Sequence, residues 1–256
     1  MTDSSSIDNL GVCITGACGL IGQILWNQLP ETVRRIGIDK DVRGSGVQIH
    51  KGDVTNSGLW DKLLSGSETV NAIIHLAGDP RVDSPWERVL HDGIHGTKVV
   101  LDAARRHGIH RVVYASSNHV VGGYERTPYP GSMDVPEVAA HDPVRPDSLY
   151  AVGKVAGEAL CRYYAESHDV TSVCLRIGSV RARDNPADDP RLRRTWLSHR
   201  DLVHLCVCAL TAPITFGMYY GVSNNDDRMW DIEQARDEIG YRPVDNASEH
   251  WSESSS

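Results

Sequence analysis

The stretch that most limits what this chain can fold into is Leu10–Leu25, LGVCITGACGLIGQIL. An apolar run from Leu10 to Thr15 ends at Gly16, Gly19 and Gly22 follow, and apolar residues resume. That order predicts a buried strand, a tight turn and the start of a helix. Such a turn leaves unpaired backbone N–H groups at the helix N-terminus, where they favour a phosphate. Gly16 permits the turn, Gly19 a close approach of pyrophosphate, and Gly22 close helix–strand packing. The spacing is G-x-x-G-x-x-G rather than G-x-G-x-x-G, and alone it is also compatible with a structural turn. If it is a cofactor turn, Gly16, Cys18, Gly19, Leu20, Ile21 and Gly22 are its contacts.

The remaining pattern alternates strands and helices. Strands are expected at Thr32–Asp39, Val47–His50, Thr69–Leu76, Arg111–Ala115, Thr171–Ile177 and Phe216–Gly221. Helices are expected at Leu59–Leu64, Trp86–Arg106, Leu149–Ser167, Ser198–Thr211 and Asp231–Ile239. Gly93 and Gly96 weaken the middle of the second of these. The alternation predicts an α/β fold, a Rossmann-type doubly wound parallel sheet with a small C-terminal substrate-binding region. Residues 1–177 are expected to be mainly the cofactor domain, including the catalytic helix, and residues 178–256 mainly the substrate side. Met1–Asn9 and the last dozen residues are polar and poorly patterned.

Composition excludes several classes of function. The formal net charge is −8, with no basic block, which argues against a nucleic-acid partner. No run of 18 apolar residues and no signal peptide is visible, so a soluble cytoplasmic protein is expected. The six cysteines fit no common zinc spacing, most lie in apolar runs, and no metal is expected.

Asp39, ending the second strand, stands where a carboxylate meets the adenosine ribose hydroxyls and repels a 2′-phosphate. It favours NAD, while Lys40 and Arg43 nearby leave room for NADP tolerance. Asp53 reads either as an acceptor for the adenine amino group or as a turn or capping residue. Val54 follows it. Leu76-Ala77-Gly78, small at its end, lets backbone lie beside a cofactor. His75 has no assigned role. Ser116-Ser117-Asn118-His119 falls at the carboxyl end of the fifth strand, where open α/β sheets place their chemistry.

Tyr150 and Lys154 are four apart, on one face of a helix. A free tyrosine, with pKa about 10, is a poor base near neutrality. The expectation is that the adjacent ammonium favours the phenolate and lowers that pKa. Tyr150 then takes a hydroxyl proton, Ser117 holds the substrate oxygen, and Lys154 assists or binds the nicotinamide ribose. The segment 178–194 carries Arg181, Arg183, Arg191, Arg193 and Arg194 against Asp184, Asp188 and Asp189. Its arginines read either as local ion pairs or as a carboxylate clamp, since a guanidinium holds a carboxylate through two parallel bonds.

TGACGLIG (Thr15–Gly22), Asp39, Asp53, His75–Gly78, Ser116-Ser117 and Tyr150-x-x-x-Lys154 resemble the extended short-chain dehydrogenase/reductase superfamily. ASSNH (Ala115–His119), RPDSLY (Arg145–Tyr150), RIGS (Arg176–Ser179), TWLS (Thr195–Ser198) and GVSNND…WD (Gly221–Asp231) resemble uronate dehydrogenases. That resemblance implies oxidation of C1 of a cyclic uronic acid, galacturonate or glucuronate, to the aldaro-lactone with NAD and without metal. It implies Tyr150 as base, Lys154 as its partner and Ser117 as the third catalytic group. Asn118 and His119 bind sugar hydroxyls, Ser179 lines the pocket and Arg191 grips the carboxylate. It also implies a homo-oligomer, joined through the helices beginning near Trp86 and Leu149. The alternatives are an aldose 1-dehydrogenase acting on arabinose, xylose or glucose, and a nucleotide-sugar epimerase or dehydratase. Departures from the pattern are Asp79-Pro80-Arg81 in place of a substrate-binding serine, Gly93 in place of an asparagine, Gly153 before the lysine, and a longer pre-tyrosine loop carrying Tyr124, Glu125, Tyr129 and Asp134. Arg81 itself reads as a second carboxylate contact or a partner of Asp83.

Overall fold

Strand β1 (Gly11–Thr15) is wholly buried, and its side chains alternate between two apolar layers. Val12 and Ile14 face one layer with Ala72, Ile74, Val113, Val173 and Leu175. Cys13 faces the other with Ile73, Val112, Tyr114 and Cys174. This period-two division is what a sheet covered on both faces requires. The computed structural model describes residues 7–42, 49–65, 70–126, 137–187 and 189–250. Arg43, Val47, Thr69, Tyr129, Asp134, Asp188 and the two chain ends therefore lie outside the described residues.

Six further strands complete one parallel sheet: β2 (Arg34–Asp39), β3 (Ile49–Lys51), β4 (Ala72–His75), β5 (Arg111–Ser117), β6 (Thr171–Ile177) and β7 (Phe216–Gly221). The order is β3-β2-β1-β4-β5-β6-β7, so the direction of winding reverses between β1 and β4. A crevice opens there, beyond the strands' carboxyl ends. β6 and β7 fall where expected, and β5 runs two residues further, to Ser117.

Helices α1 (Leu20–Gln28) and α8 (His199–Thr211) pack on the first layer. On the other side lie α2 (Ser57–Leu64), α4 (Gly96–Arg106) and α6 (Leu149–His168). Ser148 caps α6, its hydroxyl accepting from the Ala151 N–H. The weak middle of the expected Trp86–Arg106 helix is a π-helical turn, Val89–His95, between α3 (Trp86–Arg88) and α4. Gly153 of α6 lies against Val89 of that turn, so a small residue there serves helix packing. Beyond the sheet, α5 (Gly123–Arg126), α7 (Leu192–Thr195) and α9 (Glu233–Glu238) are short. Val120, Val121, Tyr124, Val138, Tyr220 and Trp230 form a separate apolar cluster there. Among the described residues no helix is long and apolar enough to cross a membrane.

Candidate active site

At the switch point the glycine turn takes the form its sequence asked for. Gly16 has φ +69°, a conformation that side-chain-bearing residues rarely adopt. A Cβ on Gly22 would overlap the Gly16 carbonyl oxygen and lie 2.8 Å from Ala17 backbone carbons. These glycines border a cavity of about 1060 Å³ that also reaches Asp39, Val54, Leu76, Ala77 and Gly78. Cys18, Gly19, Leu20 and Ile21 line it too. Asp39 Oδ2 accepts from the Cys18 N–H at 2.9 Å, which ties the second strand to the turn. A cavity of this size, bounded by a glycine turn and by the Asp39 carboxylate at the end of the second strand, fits a dinucleotide whose ribose carries free hydroxyls. Asp53 does not border it. Its Oδ1 accepts from the Thr55 N–H and hydroxyl and its Oδ2 lies 3.2 Å from Lys40 Nζ, an arrangement that matches the turn-residue alternative.

The same cavity continues past Ser117, Asn118, His119, Tyr150, Lys154 and Ser179. The chain thus brings together every expected catalytic residue and all expected sugar contacts but one. Tyr150 and Ser117 stand together at the cavity, where the Ser117 hydroxyl favours the phenolate. Ser117 Oγ also accepts from the His119 N–H at 3.2 Å, which holds the segment after β5 close to the strand end. Asn118 is 3% exposed, and its amide nitrogen has no partner among the described residues. An orphaned donor at a cavity wall is what a ligand oxygen would satisfy.

The expected lowering of the Tyr150 pKa is not found in the chain alone. Burial raises it, the Ser117 hydroxyl pulls the other way, and the Asp147 and Asp79 carboxylates add to the rise. Lys154 does not offset this, because its Nζ donates to the Ala115 carbonyl at 2.6 Å and stands 5.6 Å from the tyrosine ring centre. Burial pushes the Lys154 ammonium itself down to about 8, against an opposing pull from Glu158. A cationic ligand in the cavity would act on Tyr150 in the direction that Lys154 fails to.

Four side chains had no role assigned from the sequence. Asp147 Oδ2 accepts from His119 Nδ1 at 2.7 Å and so orients the imidazole whose ring meets Tyr150 edge-on. Its position three before Tyr150, inside RPDSLY, was the available signal. Glu158 and Arg176 form a buried ion pair under the catalytic helix, with Ser116 donating to Glu158 at 2.6 Å. Glu125 is the fourth. Arg191 donates to it from Nε and Nη2, both at 2.7 Å, and its Nη1 lies 3.4 Å from Ser179 Oγ. Arg191 therefore sits behind Ser179 rather than on the cavity wall, paired across the fold instead of with the aspartates beside it. Arg193 pairs with Asp227. Arg81 pairs with Asp79, through Nη2 at 2.7 Å, and not with Asp83. His75 lies buried between the Thr15 and Thr97 hydroxyls, away from any catalytic contact.

The profile of the NAD dependent epimerase/dehydratase family matches residues 12–192. An NAD-dependent glucose-6-phosphate dehydrogenase of Haloferax volcanii is 36% identical, over 93% of this chain and 94% of its own length. A uronate dehydrogenase of Pseudomonas syringae pv. tomato is 32% identical, over 91% of this chain and 82% of its own. Among solved structures, a mutant uronate dehydrogenase of Agrobacterium tumefaciens complexed with NAD superposes with a TM-score of 0.81 at 29% identity, covering 94% of this chain and 86% of that one. Since the family match takes in the glycine turn, β5 and the Tyr150–Lys154 helix together, the chain belongs to the NAD dependent epimerase/dehydratase family, within the extended short-chain dehydrogenase/reductase superfamily, and is an NAD-dependent oxidoreductase.

Proposed function

We propose that the protein oxidises C1 of a cyclic uronic acid, galacturonate or glucuronate, to the aldaro-lactone. The observation that carries this reading is the Arg191 guanidinium, whose Nη1 reaches to within 3.4 Å of Ser179 Oγ on the cavity wall. The uronate dehydrogenases among its relatives support it. In this reading residues 1–177 mainly hold NAD and residues 178–256 mainly face the sugar. Gly16, Cys18, Gly19, Leu20, Ile21, Gly22, Asp39, Val54, Leu76, Ala77 and Gly78 hold the dinucleotide, with Lys154 at its ribose. Bound NAD supplies the hydride acceptor and a positive ring. Tyr150 takes the C1 hydroxyl proton as the C1–H bond breaks. Ser117 keeps the C1 oxygen beside the phenol, and Asn118 and His119 bind the neighbouring hydroxyls. The exposed apolar residues Trp86, Leu90, Leu149 and Val152 support self-association through those helices in a cytoplasmic homo-oligomer.

A second reading is the same oxidation on a phosphorylated or neutral aldose. Two observations favour it: Arg191 is occupied by Glu125, and Arg81, Arg88 and Arg181 border the cavity. The Haloferax volcanii relative is named for glucose 6-phosphate. NADH formation from galacturonate, glucuronate, glucose 6-phosphate, arabinose, xylose and glucose separates the readings. The uronates are expected to give the highest kcat/KM, and equal or faster turnover of any other sugar rejects the first reading. Tyr150→Phe is expected to abolish NADH formation while NAD still binds.

A further inference from the structure

The Arg191 fork that the uronate reading assigns to the substrate is filled by the chain's own Glu125. We propose that Glu125 is an internal competitor for that fork, which an acidic sugar must displace, and that it thereby sets the enzyme's selectivity between acidic and uncharged sugars. This rests on the uronate reading.

Four observations converge. The two Arg191–Glu125 bonds, each 2.7 Å, use Nε and Nη2, the edge on which a ligand carboxylate would form the same parallel pair. One such edge takes one carboxylate side-on. The pair is half-exposed, with side chains 37% and 21% accessible, so it adds little to stability and little opposes its opening. The neighbouring carboxylates are turned to other work: Asp189 accepts the Arg191 backbone N–H, and Asp147 is engaged by His119. Finally, Glu125 is presented by a fixed support. The preceding Tyr124 is buried in the cluster with Trp230, and its hydroxyl donates to the Pro143 carbonyl at 3.0 Å. Releasing the fork therefore takes a side-chain rotation at Glu125 and no movement of Tyr124.

The experiment compares the full-length wild-type protein with Glu125→Ala, Glu125→Gln, Arg191→Ala and the double variant Glu125→Ala/Arg191→Ala. Galacturonate binding to the NAD-loaded protein is measured by calorimetry, and kcat and KM by NADH formation, with arabinose as the uncharged comparison. Unchanged NAD affinity establishes that each variant folds. Glu125→Ala is expected to tighten galacturonate binding and lower its KM about 2- to 5-fold, an exposed-pair energy expressed as affinity. Its kcat and its arabinose KM are expected to stay the same, and Glu125→Gln to fall between. In the Arg191→Ala background the same change is expected to have no effect. Unchanged or weaker galacturonate binding in Glu125→Ala overturns the proposal, as does an equal gain without Arg191 or an equal gain for arabinose. A wild type that oxidises neither uronate, with a Glu125→Ala that still binds galacturonate more tightly through Arg191, rejects the uronate function and sustains the competitor. A wild type that oxidises uronates, with no tightening in Glu125→Ala, rejects the competitor alone.

Discussion

Arg176→Met tests how the catalytic helix is held. From β6, Arg176 donates through Nε to Glu158 Oε1 at 2.9 Å and through Nη2 to Oε2 at 3.0 Å. Its Nη1 donates to the Ala140 carbonyl at 3.0 Å. The two charged side chains are only 1% and 5% exposed. Methionine replaces much of the arginine stem but supplies no donor. Glu158 is then left buried with the Ser116 hydroxyl as its remaining partner, and Ala140 loses a charged donor. Breaking a buried pair by removing one member costs about 3–5 kcal/mol. With an unfolding slope of roughly 3 kcal/mol per molar urea, the midpoint falls by about 1–2 M. Removing both charges is different, because a buried pair is close to neutral against an apolar replacement of similar volume. The double variant Arg176→Met/Glu158→Leu is therefore expected to recover most of the loss. The assay is urea unfolding followed by tryptophan fluorescence and circular dichroism. A single variant within about 1 kcal/mol of wild type, or a double variant as unstable as the two single losses added, would refute the reasoning.

Gly22→Ala drives a methyl group into the Gly16 carbonyl and the Ala17 backbone, so NAD affinity is expected to fall at least about 100-fold in titrations of intrinsic fluorescence. Gly157→Ala meets the ring and hydroxyl of buried Tyr114 and is expected to lower stability by about 1–3 kcal/mol in the same urea assay. His75, 1% exposed, is held neutral by burial, its pKa pushed down from 6.5 to about 3. Between those values the unfolded chain binds a proton that the folded one refuses, so stability falls as pH drops below 6.5, by about 1.4 kcal/mol per unit. His75→Gln is expected to be less acid-sensitive than wild type by about 2 kcal/mol at pH 5, read from urea midpoints at pH 7 and 5.

Periodicity carried most of the fold. β6 and β7 were readable to the residue because apolar runs between helices have one outcome in a doubly wound sheet. The π turn at Val89–His95 was not readable, since two glycines weaken a helix without saying how its hydrogen bonds shift. The site divides the same way. Gly16, Gly22, Asp39, Ser117, Tyr150 and Lys154 occupy positions that local spacing specifies, and all border one cavity. Asp53 carried a local signal of two meanings, and its contacts with Thr55 and Lys40 match the turn-residue one.

The order of elements, the glycine turn and the Tyr150–Lys154 helix face follow from residues a few positions apart, where backbone geometry alone determines which side chains meet. Which carboxylate takes Arg191, whether Lys154 reaches the phenol or a carbonyl, and that Arg176 neutralises Glu158 depend on residues brought together from distant parts of the chain. Those are contests between burial and charge pairing. They have no solution until packing sets the distances and excludes the water.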